Sequence, residues 1–336
     1  MGLTWLRVFA CRRFHWTCLL LFGAIHLLGC DQTNSDGPID SGARESVDAG
    51  NVIGHDGGSH PDSGTTFNQN DAGGNGGEVG QEDAGPSMSP HALTTDAGIA
   101  YWSQVDTSLV GSALVNALSE RLATDHQELA FEDLFDAYLE TDTNRNNCTG
   151  IFDFYSTSCW SPTSKCGNYS AEGDCYNREH SWPKSWWGGS VNATQHHDLI
   201  AVIPADGYVN NVRGNLPLGH VSSATYTSFN GSMRGPCVEL GDNEDCFEPA
   251  DSLKGDLARI YFYMAVRYEG QFTCCDRTAV DGADIKLWAE NILRQWHDVD
   301  PVDVDEIIRN ERVQSWQGNR NPFVDLPDLV HQIDDF

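Results

Sequence analysis

The chain has 336 residues, enough for one large domain or two small ones, and 40% of them are hydrophobic, adequate for a packed core but low for a membrane protein. It carries 49 acidic residues against 20 Lys and Arg, a formal charge of −29. That imbalance excludes broad electrostatic attraction to nucleic acid or to anionic membranes, so a polyanion-binding role has to rest on a local patch or on a metal ion.

The chain starts with Arg7, Arg12 and Arg13 and no acid before residue 31. An apolar run, CLLLFGAIHLLGC, follows them, too short and too interrupted for a comfortable transmembrane span. It ends in Leu27-Leu28-Gly29-Cys30, which resembles the lipobox of bacterial lipoproteins. That resemblance implies a signal peptide over 1–30, cut before Cys30, with lipid on its thiol; an ordinary cleaved signal or a weak anchor is the alternative. The expected location is outside the cytoplasm, lipid-anchored to a bacterial membrane or cell surface, or secreted. Residues 31–95 are Gly, Asp, Ser and Asn with few large apolar side chains, and hold 11 acids and one base. Such a segment cannot bury enough surface to offset its chain entropy, and it is expected to be a disordered acidic linker. Calcium binding by its Asp-Ser-Gly and Asp-Ala-Gly repeats is the alternative, weakened by their irregular spacing.

Residues 96–336 are expected to form the folded domain. Apolar residues recur at helical spacing over 108–123, and 131–141 suggests a second helix. A short strand is expected over 150–156, then a Cys-, Ser- and Gly-rich loop over 157–175. The run 197–206 reads as a strand ended by Pro204. Residues 207–215 suggest one or two helical turns with Gly214 near their end. Amphipathic helices are expected over 254–270 and 282–297, and a further helix opens at Asp305 and Glu306 and closes at 317–323. The acids of 297–307 suit a helix N-terminus better than a calcium loop. The fold class is α+β with more helix than strand.

Eight cysteines fall in this domain: Cys148, Cys159, Cys166, Cys175, Cys237, Cys246, Cys274 and Cys275. An even set in an exported domain reads as disulfides. Cys159/Cys166 and Cys237/Cys246 are close enough to close small loops, and the adjacent Cys274 and Cys275 are expected to bond to two different partners. A zinc site is disfavoured because no CxxC pair is present.

The stretch 175–189, CYNREHSWPKSWWGG, gathers Arg178, Glu179, His180 and Lys184 among tryptophans. Phosphodiester hydrolysis needs a base for water and stabilisation of developing charge. An imidazole can be the base near neutral pH. A divalent cation on hard oxygen ligands can supply the stabilisation, and Mg²⁺ commonly takes only one or two protein oxygens. Glu179 and His180 are here, while 207–215 offers Asn210, Asn211, Asn215 and Arg213. Neighbours on a regular strand point to opposite faces, so the strand has to bend or end at this pair. Pro183 makes an ending plausible. Taken singly, each feature has a plainer reading: a Glu-His pair on the surface, Asn-Asn as a turn or cap, and Trp182, Trp186 and Trp187 as core rather than base-stacking platforms.

Four blocks, YNREHSWPKSW, PADGYVNNVRGNLPLG, KGDLARIYFYM and QGNRNPF, together with HQELAFEDLFDAYLETD and FYS before them, resemble the secreted bacterial endonuclease I family in that family's order. The resemblance covers nearly all of 97–325. It implies a ββα-metal, or His-Me finger, core, His180 as the general base and Glu179 as a metal ligand. It also implies Asn210 as the second ligand, with Asn211 as fallback, and Arg213 as phosphate or structural support. The implied cofactor is Mg²⁺, with Mn²⁺ or Ca²⁺ as substitutes. The implied reaction is attack by water on DNA, and often RNA, with little sequence preference, leaving 5′-phosphate ends. One departure stands out. The family often carries a His pair before the strand's proline, where this chain has Ile200 and Ala201, with His196 and His197 a few residues earlier.

Arg178, Lys184, Arg234, Lys254, Arg259 and Arg267 are the candidates for a basic patch, though Arg259 and Arg267 can equally pair on their own helix. Given the acidity, phosphate binding is expected to be confined to a groove around Arg178, Lys184 and Arg213. The expected protein is a monomer touching a membrane only through the N-terminal lipid. Two readings compete with the nuclease: a non-catalytic surface adhesin or polyanion-binding lipoprotein on a degenerate nuclease scaffold, and a calcium-stabilised structural protein.

Overall fold

The structure is a computed structural model that describes residues 94–272 and 274–336. The signal segment with Cys30 and the linker through residue 93 lie outside the described residues. The chain opens with α1 (Asp96–Trp102), capped by the Thr95 side chain, and α2 (Gly111–Thr124), which buries Leu114, Leu118 and Leu122 along one face. The expected helix over 131–141 is a 3₁₀ turn, Phe131–Asp133, running into α3 (Leu134–Thr141). Strands β1 (Thr143–Arg145), β2 (Cys148–Phe152) and β3 (Cys159–Trp160) then form a small antiparallel sheet.

Next come β4 (Tyr176–His180) and β5 (Val202–Asp206), an antiparallel pair followed at once by α4 (Gly207–Arg213). This is the ββα unit. Pro204 does not end β5, which continues two residues past it. Pro204 lies opposite Arg178 in a two-stranded ladder, where every strand is an edge and a missing N–H is tolerated. A second antiparallel sheet holds β6 (Tyr226–Thr227), β7 (Met233–Pro236) and β8 (Asp245–Glu248).

The helix α5 (Lys254–Arg267) departs most from expectation. Its pattern reads as amphipathic, yet all 14 of its residues are buried. It runs through the core against α2, α6 (Leu287–Val299) and α8 (Pro322–Asp325). Two of its three cations, Arg259 and Lys254, are ion-paired. Arg259 meets Glu306 at 2.5 Å and Asp256 at 3.6 Å, and Lys254 meets Glu248 and Asp251 at 2.7 Å. Arg259 pairs on its own helix, as its sequence allowed, and also with Glu306 of a later helix, while Lys254 meets Glu248 of β8, and these two residues are withdrawn from any surface basic patch.

A two-residue hairpin, β9 (Val280–Asp281) with β10 (Asp284–Ile285), takes up the start of the expected 282–297 helix. Helix α7 (Val304–Gln317) starts at a reciprocal capping box between Asp303 and Glu306 and ends at Gly318, φ +82°. The acids of 297–307 are thus cap and ion-pair groups. The result is a mixed α+β, mainly helical domain around the ββα unit, stapled by disulfides.

The disulfide pairs are Cys148–Cys159, Cys166–Cys175, Cys237–Cys246 and Cys274–Cys275. Cys237/Cys246 is as expected. Cys159/Cys166 is not formed, because β2 and β3 pair antiparallel and bring Cys159 to Cys148, with Cα atoms 5.4 Å apart. Cys274 and Cys275 bond to each other rather than to separate partners.

Candidate active site

The register Tyr176↔Asp206 through His180↔Val202 fixes β4 against β5. Strand β4 stops at His180, and Ser181, Trp182 and Pro183 lead into a 3₁₀ turn over Lys184–Trp186. The strand ending anticipated from Pro183 is therefore present. Alternation sends Glu179 and His180 into different surroundings. Trp182, Trp186 and Trp187 are buried, as core residues should be.

Asp206 ends β5 and caps α4, its Oδ1 accepting from the amides of Tyr208 at 2.8 Å and Val209 at 3.0 Å. Its Oδ2 accepts from Gly173 N at 2.7 Å. The next residue has to be glycine: a Cβ at Gly207 would lie 2.4 Å from Cys166 Sγ. The Cys166–Cys175 disulfide thus presses on the start of α4 while Cys175 leads directly into β4. The helix ends at Gly214, φ +56°.

Glu179 is buried, and its Oε1 accepts from Tyr155 Oη at 3.1 Å and from Arg213 NH1 at 2.8 Å. Arg213 also donates to the carbonyls of His180 at 3.1 Å and Ser181 at 2.6 Å, and to Tyr261 Oη at 3.0 Å. Tyr261 donates in turn to Ser181 O at 2.9 Å. Arg213 is fully buried, so it ties α4, the end of β4 and α5 together. The phosphate contact expected of it is not offered by this geometry; the structural role is. Burial pushes Glu179 up to about 7, against the pull of Arg213 and of its hydrogen bonds.

His180 lies on the other side. Its Nε2 is 3.1 Å from His196 O, and since a carbonyl only accepts, Nε2 carries the hydrogen and Nδ1 the lone pair. The ring stacks on His196 with centroids 4.7 Å apart and planes at 14°, beside Phe131 at 5.7 Å and Trp187 at 5.6 Å. Burial first, then the neighbouring His196, pushes His180 down to about 3, so the ring is neutral at ordinary pH. Burial and Lys184 lower His196 to about 4.

Arg178 packs over Phe131 at 3.7 Å, donates to Phe131 O at 2.7 Å and pairs with Glu132 at 3.1 Å. Two of the three expected phosphate-binding cations, Arg178 and Arg213, are thus engaged within the protein. Lys184 is exposed and has no ion pair among the described residues. Arg234 pairs with Asp245 at 3.0 Å. Ile200 and Ala201, in the places of the family's His pair, are buried in the apolar core as packing residues.

The donor set suits a hard divalent cation. Glu179 Oε1 is occupied by Tyr155 and Arg213, while no hydrogen bond among the described residues reaches Oε2. Asn210 is half-buried on α4, and its amide likewise makes no hydrogen bond there; Asn211 is exposed on the same helix. Carboxylate and amide oxygens without protein partners are the ligand types such an ion takes. The sequence did not point to Tyr155, Tyr261 or the His196 carbonyl. Tyr155 and Tyr261 lie inside the FYS and KGDLARIYFYM blocks, but nothing local gives them a partner: their contacts and that of His196 with 179–181 span 16 to 80 residues along the chain.

An antiparallel strand pair closed by a short helix thus carries a Glu-His pair at its strand end and an amide on the helix. The profile of the Endonuclease I family matches residues 110–328, and the chain belongs to that family. It is a nuclease by family, a phosphodiester hydrolase. It is similar to the extracellular ribonuclease of Bacillus amyloliquefaciens, 32% identical over 254 residues that cover 74% of this chain and 83% of the relative. The extracellular ribonuclease of Bacillus subtilis (strain 168) is 32% identical over 260 residues, 74% and 85% of the two chains. An extracellular deoxyribonuclease of Aeromonas hydrophila is 27% identical over 132 residues, 38% of this chain and 48% of that one.

Proposed function

We propose that this nuclease hydrolyses DNA and RNA outside the cytoplasm with little sequence preference, using His180 as general base and a divalent cation, Mg²⁺ first, on Glu179 and Asn210. The observation that carries the reading is the hydrogen bond from His180 Nε2 to His196 O, which leaves Nδ1 as the proton-accepting atom. Stacking on His196 and the buried setting keep the ring neutral and fixed. Its low proton affinity makes positioning, and the negative charge of the reacting phosphate, the source of its effectiveness. Arg213 and Tyr155 hold Glu179 Oε1, which leaves the other carboxylate oxygen, with the Asn210 amide, as the groups that would hold the ion. When bound, the cation neutralises charge building on the phosphate and on the departing oxygen. Attack by water on phosphorus with loss of the 3′-oxygen leaves 5′-phosphate ends. The names of the relatives, ribonucleases and deoxyribonucleases described as extracellular, support both substrate classes and the location. Anchoring through lipid on Cys30 is part of the proposal.

The test is cleavage of plasmid and of total RNA with Mg²⁺, with EDTA, and by His180→Ala, followed by end-group analysis. Mg²⁺-dependent nicking lost in His180→Ala, with 5′-phosphate termini, is expected. Wild type and His180→Ala cleaving alike would end the assignment.

A further inference from the structure

The tip between β6 and β7, residues 228–232, displays Phe229 with 66% of its surface in solvent. This tip is firmly built. Ser228 N donates to Ser232 O at 2.8 Å and Gly231 N to Ser228 O at 3.0 Å. Asn230 Oδ1 accepts from both serine hydroxyls at 2.8 Å and from Ser232 N at 3.0 Å. Glu172 grips it from the neighbouring loop, accepting from Phe229 N at 2.7 Å, Ser156 Oγ at 2.5 Å and Tyr226 Oη at 2.6 Å. Fixed backbone under an outward phenyl ring means that the ring's exposure is held by the fold rather than by a floppy loop.

The tip is connected to the site. Asn230 Nδ2 donates to Phe154 O at 3.3 Å, and the next residue is Tyr155, whose hydroxyl holds Glu179. On the other side Tyr226 packs 6.0 Å from Tyr208, two residues before Asn210 on α4. Glu172, which holds both the Tyr226 hydroxyl and Phe229 N, joins this aromatic pair on α4 and β6 to the tip. Cations are scarce here: Arg178 and Arg213 are engaged, and the chain as a whole is strongly acidic. A substrate strand needs another source of grip than phosphate neutralisation.

We propose that Phe229 is a stacking platform for an unpaired base of the strand being cut, so that the enzyme favours single-stranded or locally melted nucleic acid. The proposal rests on the nuclease reading above. Base–aromatic stacking is worth roughly 1–3 kcal/mol per base and is tolerant of sequence. It needs no cation and fits an acidic protein.

The test compares Phe229→Ala and Phe229→Trp with wild type on a labelled single strand of about 12 nucleotides, within the site sizes of stacking grooves, and on its blunt duplex. Phe229→Ala should raise KM for the single strand about tenfold, with kcat, the salt dependence and the melting temperature unchanged. The duplex should be much less affected, and Phe229→Trp should restore the single-strand value. Equal KM in wild type and Phe229→Ala, or equal losses on both substrates, would overturn it. So would a Phe229→Ala defect that appears only in self-association on gel filtration or in binding to anionic lipid vesicles. Fluorescence anisotropy in the His180→Ala background reads the same preference without cleavage. Phe229-dependent binding by a wild type that cuts nothing would therefore sink the catalytic assignment and spare this one.

Discussion

Arg213 NH1 stands 2.8 Å from Glu179 Oε1, and the two side chains are buried together. Its two terminal nitrogens also donate to the carbonyls of His180 and Ser181 and to Tyr261, while its Nε finds no partner among the described residues. One residue of α4 thereby sets the position of the carboxylate on the strand.

Arg213→Met leaves that carboxylate buried with no cation, and is expected to cost about 3–5 kcal/mol in urea unfolding. Arg213→Lys keeps the charge but not the fork, and should recover only part of the loss. A Glu179→Gln/Arg213→Met double variant should regain stability without regaining cleavage. An unmoved unfolding curve for Arg213→Met would remove the pair from its positioning role.

Tyr155 touches the site only through Glu179 Oε1. Tyr155→Phe should weaken Mg²⁺ activation about 10–100-fold, the usual effect of losing a group that orients a metal ligand. The shift belongs in the half-saturating Mg²⁺ concentration, with activity recovering at high Mg²⁺. His180→Ala, by contrast, should lower kcat by about 10²–10⁴ at every Mg²⁺ concentration. Titrating both variants in parallel separates the two roles.

Burial, then Arg259 and the neighbouring His331, pushes His297 down to about 4 in the folded protein. Its ordinary value is about 6.5, so the unfolded chain takes up the proton first as pH falls. The stability tied to His297 is complete above pH 6.5 and drains away as pH falls toward 4, by on the order of 2–3 kcal/mol. His297→Gln should flatten urea stability over that window. A variant curve parallel to wild type would show that the histidine is not the cause.

DNA affinity should depend only weakly on salt. Each neutralised phosphate contributes about −0.9 to the slope of log K against log salt. With Lys184 the exposed cation beside the site, the slope should match a few contacts, and Lys184→Ala should reduce it by about 1. A slope on the order of −10 would contradict the engagement of Arg178 and Arg213.

Of the ββα unit, β5 and α4 were legible from local pattern, while the pairing of β4 with β5 was implied only by the resemblance to the endonuclease I family. The Glu-His pair is followed by a proline, an apolar run precedes Asp206, and a short helical segment ends at Gly214. What surrounds it was not. Helix α5 carries polar residues in a pattern that reads as one wet face, and only the tertiary partners Glu306 and Glu248 show that face to be internal. Arg213 in the sequence is a cation in a motif; whether it meets phosphate or Glu179 depends on how deeply α4 sinks. Cys159 had several partners within reach, and strand pairing, invisible in the spacing, chose Cys148.

The Cys166–Cys175 staple against Gly207 has a consequence for where the enzyme can mature. Both elements of the site lean on that bond, and a loop of this length contributes about 2–3 kcal/mol when closed. In a glutathione-poised cytosol the thiols stay reduced and β4 and α4 lose their shared clamp. The reduced chain is therefore expected to cleave more slowly than the oxidised one, and activity measured with and without a thiol reductant checks it.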